Sequence, residues 1–364
     1  MKKIKVLHFF GRMDIGGAET FTMNLYRNID KSRFQFDFVV SQKGFYDNEI
    51  KKLGGNIYIL PVPNKRFLSY KKSLKRLLLK EYYDVVHSHV HYYSGINLKI
   101  ANTCGVPVRI SHSHSTSDGK RHSIFRKIYR CYMINLIKAN GTMFLGCGKE
   151  ANFKFYGNNF LNKAKVIHNG IDIVKFKEVK ISKTDIKNKL GIDNDGFVIG
   201  HVGRFCEMKN HTFIIDIFKN LLEVNNNSHL ILVGDGPLKA KIEDKVNKLN
   251  INKNVLFLGE RTDIPELLKG MDVFLFPSIF EGLPLSLIEA QASGLRCIIS
   301  DAIDKKSCLS DKTVIVNLDS SIDEWCRVII DENIKGKAYD YIDNYDIQKV
   351  VQIIEQIYMG ELDE

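Results

Sequence analysis

Short apolar runs rich in β-formers alternate with amphipathic stretches from one end of the chain to the other. In the first half the runs are KIKVLHFF (3–10), FQFDFVV (34–40), NIYILPV (56–62), YDVVHSH (83–89), VRISHSH (108–114) and TMFLGCG (142–148). Between them, Ala18–Asn28, Lys71–Lys80 and Ile124–Lys138 carry apolar residues at helical spacing. A second series follows: FVIGHVG (197–203), HLILVGDG (229–236), VLFLGE (255–260), DVFLFPS (272–278), LRCIIS (295–300) and TVIVNL (313–318). Near-continuous apolar strands alternating with helices predict parallel sheets covered on both faces. Two series predict two doubly wound, Rossmann-like α/β domains, each binding ligands at the carboxyl ends of its strands.

The division is expected at about residues 172/173, within VIHNGIDIVKF (166–176), before a lysine-rich stretch that leads to Phe197. The domains are then 1–172 and 173–364, with a final helix over Ile347–Tyr358 packing back towards the first. The basic start and short apolar run of MKKIKVLHFF are interrupted by His8 and Gly11-Arg12, so the segment reads as a first strand and not a leader. No run approaches the roughly 18 apolar residues of a membrane span. A cytoplasmic protein is expected, with a peripheral place at the inner membrane face also in view.

Composition is that of a globular protein, 44% hydrophobic and 26% charged. Its seven cysteines are scattered without CxxC spacing and read as reduced thiols. Charge is more informative. Up to residue 175 there are about 30 Lys/Arg against about 11 Asp/Glu, leaving about 23 against about 31 for the remainder. A basic half and a mildly acidic half suit an anionic substrate or an anionic membrane surface. Lys65, Arg66, Lys71, Lys72, Lys75, Arg76 and Lys80 interleave with Phe67, Leu68, Leu74 and Leu77–Leu79; Arg121, Arg126, Lys127 and Arg130 mark a second basic helix. Both equally fit ordinary solvated helix faces. No nucleic-acid recognition module is evident, and no nucleic-acid partner is expected.

Four segments could carry chemistry. Gly16 and Gly17 follow the first strand and open a helix, where backbone amides can meet a phosphate; a plain turn fits as well. Gly203, Arg204 and Lys209 lie at the carboxyl end of FVIGHV, where two cations can grip a diphosphate. In PSIFEGLPLSLIEAQASG (277–294), Glu281 sits in a loop and Glu289 in a helix begun by Pro284. The free amides of that helix suit a diphosphate, Glu289 suits two ribose hydroxyls, and Glu281 suits the sugar. Histidines 87, 89 and 91 alternate onto one strand face, and His112 and His114 end another strand. Without accompanying cysteines or carboxylates they do not predict zinc. Asp193-Asn194-Asp195 reads as a turn and not as a metal-binding DxD.

In order, GGAET, HSHS, HNGID, VGRF–EMKN, VGDGPL, LGERTDI and EGLPLSLIEA resemble retaining glycosyltransferase family 4, of the GT-B fold. The likeness runs to about residue 302, and GGAETFTMNLYRNID with EAQASG is most similar to the capsular and exopolysaccharide branch. It implies a nucleotide-sugar donor, with uridine favoured, on the second domain and a saccharide or lipid-linked acceptor on the first. The transferred group is then a hexosyl or N-acetylhexosaminyl unit, moved with retention and without an essential metal or other cofactor.

Arg204 and Lys209 match the family's phosphate-binding pair and Glu289 its ribose ligand. Glu281 with Gly282, Leu283 and Pro284 matches its donor-sugar loop, and Gly16 and Gly17 match the loop facing the diphosphate. Gly203, Gly234 and Arg261 fall in donor-binding motifs; His114 matches the cleft histidine, with His112 the alternative. The resemblance also implies attack on the donor's front face, with the leaving phosphate taking the acceptor proton. The family usually has Pro where this chain has Arg296, which puts only the local turn in question. A nucleotide-sugar 2-epimerase of the same architecture, or a non-catalytic binding subunit, are the competing readings.

Overall fold

The computed structural model describes the whole chain except residues 1, 63–65, 115–122, 161, 282–283, 362–364 and the side chain of residue 159. The described residues form two all-parallel sheets, of seven and six strands. The first contains β1 (Ile4–Phe9), β2 (Phe34–Val40), β3 (Ile57–Ile59), β4 (Val85–Ser88), β5 (Val108–Ser113), β6 (Met143–Gly146) and β7 (Ala164–Val166), in the order β3-β2-β1-β4-β5-β6-β7. The second contains β8 (Phe197–Val202), β9 (Ser228–Val233), β10 (Val255–Gly259), β11 (Val273–Phe276), β12 (Arg296–Ser300) and β13 (Thr313–Val316), in the order β10-β9-β8-β11-β12-β13. In each sheet the strand order reverses beside its first strand, which opens a crevice at that strand's carboxyl end.

All twelve apolar runs become strands, most of them shortened by a residue or more at one end or both. The thirteenth, β7, escapes a reading by hydropathy because it has three residues, AKV, with Lys165 at its centre. Alternation splits β1 between two cores: Val6 packs with Phe36, Val85 and Ile354, while Leu7 and Phe9 pack on the other face with Leu74 and Val86. β8 does the same with Val198 and Ile199.

The chain divides into two compact units, one of residues 1–170 and 347–364, the other of residues 171–346. The division lies two residues before the expected one, and the final helix, Ile347–Met359, is part of the first unit. Its Ile347, Val350, Val351, Ile354, Ile357 and Tyr358 are buried against Phe34, Phe36 and Tyr26. The Asp193–Asp195 segment is a turn, closed by Gly196 N–H donating to the Asp193 carbonyl at 3.0 Å. The seven cysteines are free thiols, and Cys147, Cys297, Cys308 and Cys326 are buried.

Arg296, where the family usually has Pro, has a place of its own. Its guanidinium donates to the carbonyls of Ile329 (3.0 Å), Asp331 (2.9 Å) and Ile334 (3.2 Å), and so caps the carbonyl end of the helix Ile322–Ile330. The turn before it is kept by Gly294 in the left-handed region, at φ 73°.

Candidate functional site

In the second unit, residues from three loops meet at the carboxyl end of β8. Residues 203–210 leave β8 and are stitched to the loop after β11: Asn210 Nδ2 donates to the Pro277 carbonyl at 3.1 Å, and Ile279 N–H to the Met208 carbonyl at 2.8 Å. On the other side, Gly203 N–H donates to the Val233 carbonyl and Phe205 N–H to the Asp235 carbonyl, both at 2.9 Å. Gly234 has φ 130°, and a Cβ there would collide with the Gly203 carbonyl, so only glycine lets these two loops touch.

This stitching sets the side chains. Lys209 Nζ lies 2.8 Å from Glu281 Oε1, both side chains mostly buried at 14% and 13% exposure. It is a charge contact and not an aligned hydrogen bond, because Oε1 has no hydrogen-bond partner. The same ammonium sits 4.3 Å from the centroid of the Phe276 ring. Arg204 is exposed and makes no ion pair among the described residues. One cation is therefore pre-positioned and the other is available to solvent.

The helix Leu285–Ala292 follows, with Glu289 its fifth residue, one turn beyond Leu285, and partly buried. Pro284 is the residue before the helix, at φ −77° and ψ 106°, and not its first helical residue as expected. Its extended ψ keeps it outside, and its carbonyl accepts from Leu287 and Ile288. The amides left for a ligand are thus those of Leu285 and Ser286. Gly282 and Leu283 lie outside the described residues. Arg261, given a donor-binding role by its motif, makes a two-pronged pair with Asp263 at 2.7 and 2.5 Å, which holds its guanidinium at the end of β10.

Gln291, one helical turn beyond Leu287, was not singled out in the sequence. It is buried, donates to the carbonyls of Leu287 (3.2 Å) and Ser307 (2.8 Å), and accepts from Leu309 N–H (2.6 Å) and Thr313 Oγ1 (2.7 Å). It pins the helix carrying Glu289 to the sheet edge.

In the first unit, Gly17 begins the helix Gly17–Asn28 and is exposed with open space around it, while Gly16 precedes it in extended conformation. A Cβ on Gly16 would collide with the Glu19 carboxylate, which folds back over the helix start. Burial, with the nearby Asp14 charge adding to it, pushes the Glu19 carboxyl up to about 7. Sequence reading passed over Glu19; its place two residues after paired glycines was the available signal.

Five histidines form one cluster: His8 of β1, His87 and His89 at the end of β4, and His112 and His114 at the end of β5. These three strands are neighbours in the order β1-β4-β5. His8 Nδ1 is 3.1 Å from His89 Nε2, and His89 Nδ1 is 2.8 Å from His114 Nε2. His87 Nε2 is 3.1 Å from His112 Nδ1, and His87 Nδ1 is 2.8 Å from the Tyr358 hydroxyl of the returning helix. Burial lowers every one of their pKa values, His8 to about 3 and His114 to about 4, with neighbouring rings adding to it for His87, His89 and His112. All five are neutral at pH 7. His112 is 1% exposed, whereas His114 is partly exposed, so His114 is the accessible one of the pair.

His91 does not share the face of His87 and His89. β4 ends at Ser88, and His91 turns into the left-handed region at φ 52° and packs on Phe155, its ring centroid 4.6 Å away. Two triads, His8/His87/His89 and His89/His112/His114, bring ring nitrogens within 4.8 Å, close enough for a metal ion. Three contacts among these rings, His8–His89, His89–His114 and His87–His112, at 2.8–3.1 Å, also have the length of imidazole–imidazole hydrogen bonds.

Two parallel Rossmann-like sheets with this strand order make the GT-B fold. The solved structure of Anabaena HepE in complex with UDP-glucose shares the fold, with a TM-score of 0.80 at 17% identity over 98% of this chain and 99% of that one. Residues 15–175 match the model of Glycosyltransferase Family 4, and residues 182–307 that of Glycosyl transferases group 1. The putative glycosyltransferase EpsF of Bacillus subtilis is 39% identical over 83% of this chain and 80% of its own. The UDP-Gal:alpha-D-GlcNAc-diphosphoundecaprenol alpha-1,3-galactosyltransferase of Escherichia coli is 30% identical over 98% and 97%. The chain belongs to glycosyltransferase family 4, and it is a glycosyltransferase.

Proposed function

We propose that this enzyme moves a hexosyl or N-acetylhexosaminyl group from a UDP-sugar to a lipid-linked saccharide, with retention and without a metal, in capsular or exopolysaccharide synthesis. The observation that carries the reading is the Lys209–Glu281 pair at 2.8 Å beside exposed Arg204, at the carboxyl end of β8. When the glycosidic bond breaks, negative charge grows on the departing diphosphate. Two cations and the free amides of Leu285 and Ser286 stabilise that charge more as it grows, which lowers the barrier. They supply what a divalent ion supplies elsewhere. Glu289 takes the ribose hydroxyls, and Glu281 the sugar. His114, on the first unit, meets the acceptor or the reacting sugar. The E. coli relative's printed donor and acceptor support the choice of uridine and of a lipid-linked acceptor.

The test is thermal stabilisation by UDP and a panel of UDP-sugars, with and without EDTA, followed by NMR of the product's anomeric centre. A shift untouched by EDTA and a retained α-configuration are expected. Loss of the shift with EDTA, or an inverted product, overturns the proposal.

A lipid-linked acceptor calls for access to a membrane surface, and the helix Ile124–Asn140 is suited to one. Ile124, Phe125, Ile128 and Tyr132 are 54–81% exposed, beside Arg126, Lys127 and Arg130. Apolar side chains that enter the headgroup layer beneath a basic collar are the signature of an interfacial helix. The helix Phe67–Glu81 buries Tyr70, Leu74, Leu77 and Leu78 and also exposes Phe67, Leu68 and Leu79 beside its lysines, a second and smaller face of the same kind. Lys65 and Arg121 lie outside the described residues. Changing Phe125 and Ile128 to Ser is expected to weaken co-sedimentation with phosphatidylglycerol vesicles about tenfold or more, at about 1.5–3 kcal/mol per apolar side chain. Binding that is unaltered in the double variant rules out this helix as the contact.

A further inference from the structure

We propose that His201 is a positioning residue for Lys209: its bare Nε2 lone pair faces the lysine side chain and helps hold the ammonium, charged, where the diphosphate binds. The inference rests on the reading of Lys209 as a phosphate-binding cation. His201 lies on β8 with no exposed surface, and nothing in the run FVIGHVG marks it.

One contact sets the tautomer. The pairing of β8 with β11 ends at Gly200 and Phe274, and one residue further His201 Nδ1 lies 2.9 Å from the Leu275 carbonyl. A carbonyl oxygen only accepts, so Nδ1 carries the hydrogen. Burial first, then the neighbouring His211 and the Lys209 charge, hold His201 well below the usual histidine range, and it is neutral at pH 7. Its Nε2 is therefore a lone pair. That nitrogen is buried and has no hydrogen-bond partner among the described residues. His211, edge-on with ring centroids 4.8 Å apart, does not engage it, since both nitrogens of His211 also lack partners. In this tautomer no N–H of His201 is left unsatisfied; the opposite one would bury an orphan N–H and turn a lone pair on the carbonyl.

The lone pair meets the Lys209 stem. A Cβ placed on Gly203 would stand 2.9 Å from His201 Nε2 and 3.2 Å from both Cδ and Cε of Lys209. The three atoms thus border one small space, kept open because residue 203 has no side chain. The two residues also share Phe276. Its ring lies 5.3 Å from that of His201, at an interplanar angle of 23°, and its centroid is 4.3 Å from Lys209 Nζ.

Lys209 is mostly buried, and desolvation works against its charge. Glu281 Oε1 offsets this with a negative charge at 2.8 Å, and Phe276 with the negative face of its ring. His201 adds the negative end of an imidazole dipole beside the carbons that carry the ammonium. Its ring is held by the Leu275 carbonyl and reached by no solvent, so this contribution is the same before and after the donor enters. A buried acceptor without a hydrogen bond ordinarily costs stability, and its place beside a cation accounts for keeping one here.

The experiment is two-bond ¹H–¹⁵N correlation spectroscopy of the full-length protein labelled with [¹⁵N]histidine, on the wild type and on Lys209→Ala, combined with kinetics of His201→Asn and His201→Phe. His201 is expected as Nδ1–H, with an Nε2 resonance that moves in Lys209→Ala while that of Nδ1 keeps its position. An Nε2–H tautomer, or an Nε2 resonance untouched by the loss of Lys209, overturns the proposal. An Asn amide nitrogen stands where Nδ1 stood and keeps the bond to Leu275 without the Nε2 edge; Phe keeps a ring without either nitrogen. Both variants should lose about ten- to hundredfold in kcat, at a donor KM within about threefold of wild type, as expected when a charged group is misplaced. Wild-type kcat in His201→Phe means that the ring is a spacer, and in His201→Asn that only the tie to β11 counts; either overturns the proposal. In the Lys209→Ala background the same substitutions should change kcat less than about twofold, because His201 acts through Lys209. An equal loss there marks a structural effect and also overturns it. The spectra need no His201 variant, so a folding defect in one leaves them decisive. A fully active Lys209→Ala counts against the placement of the diphosphate alone; the contact of Nε2 with Lys209 then stands or falls on the spectra.

Discussion

Lys209→Ala is expected to lower kcat/KM for sugar transfer about 10²–10³-fold, the usual cost of removing one pre-positioned charge donor from a developing anion. The effect should fall mainly on kcat, because the charge to be stabilised grows as the bond to the diphosphate breaks. Two features make Lys209 the more sensitive of the two cations. It is held in place by Glu281 and the Phe276 ring, so its attraction to phosphate needs no reorganisation during reaction. It is also 14% exposed, where charges interact more strongly than in water. Arg204 is exposed and loses side-chain freedom on engaging a ligand, so Arg204→Ala should cost less in kcat and more in KM. Removing Lys209 also leaves the Glu281 carboxylate unpaired. The variant Lys209→Ala/Glu281→Gln separates the two effects: non-additive losses show that the pair acts as a unit. If Lys209→Ala transfers sugar at the wild-type rate, the placement of the diphosphate at the end of β8 is wrong.

Gln291→Leu should destabilise the protein by about 2–4 kcal/mol, because an apolar chain of similar size leaves buried groups without partners at about 1–3 kcal/mol each. The orphaned groups are Leu309 N–H, the Thr313 hydroxyl and the Ser307 carbonyl. Urea unfolding reads this as a lower midpoint with an unchanged slope. Weaker UDP binding should accompany it, since Glu289 lies two positions before Gln291 on the same helix. A change below about 0.5 kcal/mol would mean that these groups find other partners when the amide is gone.

Much of the architecture was legible because parallel strands are buried on both faces and write themselves as apolar runs. What hydropathy could not find was β7, where Lys165 interrupts a three-residue edge strand. That Arg204, Lys209 and Glu281 lie in loops at strand ends, with Glu289 on the helix that follows, was legible because Gly and Pro punctuate those loops. The pairing of Arg261 with Asp263 was not legible, since nothing in the spacing says that these two side chains, two residues apart, meet. Pro284 was set one position too far in, because its φ suits a first helical turn and only its ψ excludes it. The histidine cluster shows the limit most clearly. Motif reading grouped 87, 89 and 91 by alternation, but β4 ends before His91, and His8 joins from a strand about eighty residues away. Only the order β1-β4-β5 brings these side chains together, and that order is a property of the sheet.

The return of residues 347–364 to the first unit has a bearing on how the protein is made. Residues 171–346 are contiguous, so the second unit has all its parts as soon as Asp346 emerges during synthesis. The first unit, although translated earlier, lacks the side chains that cover Phe34 and Phe36 until Tyr358 has left the ribosome. The hydroxyl that bonds His87 arrives with the same helix. The order of completion is therefore the reverse of the order of translation, and the nascent first unit must wait, with an apolar face uncovered, while the second one folds.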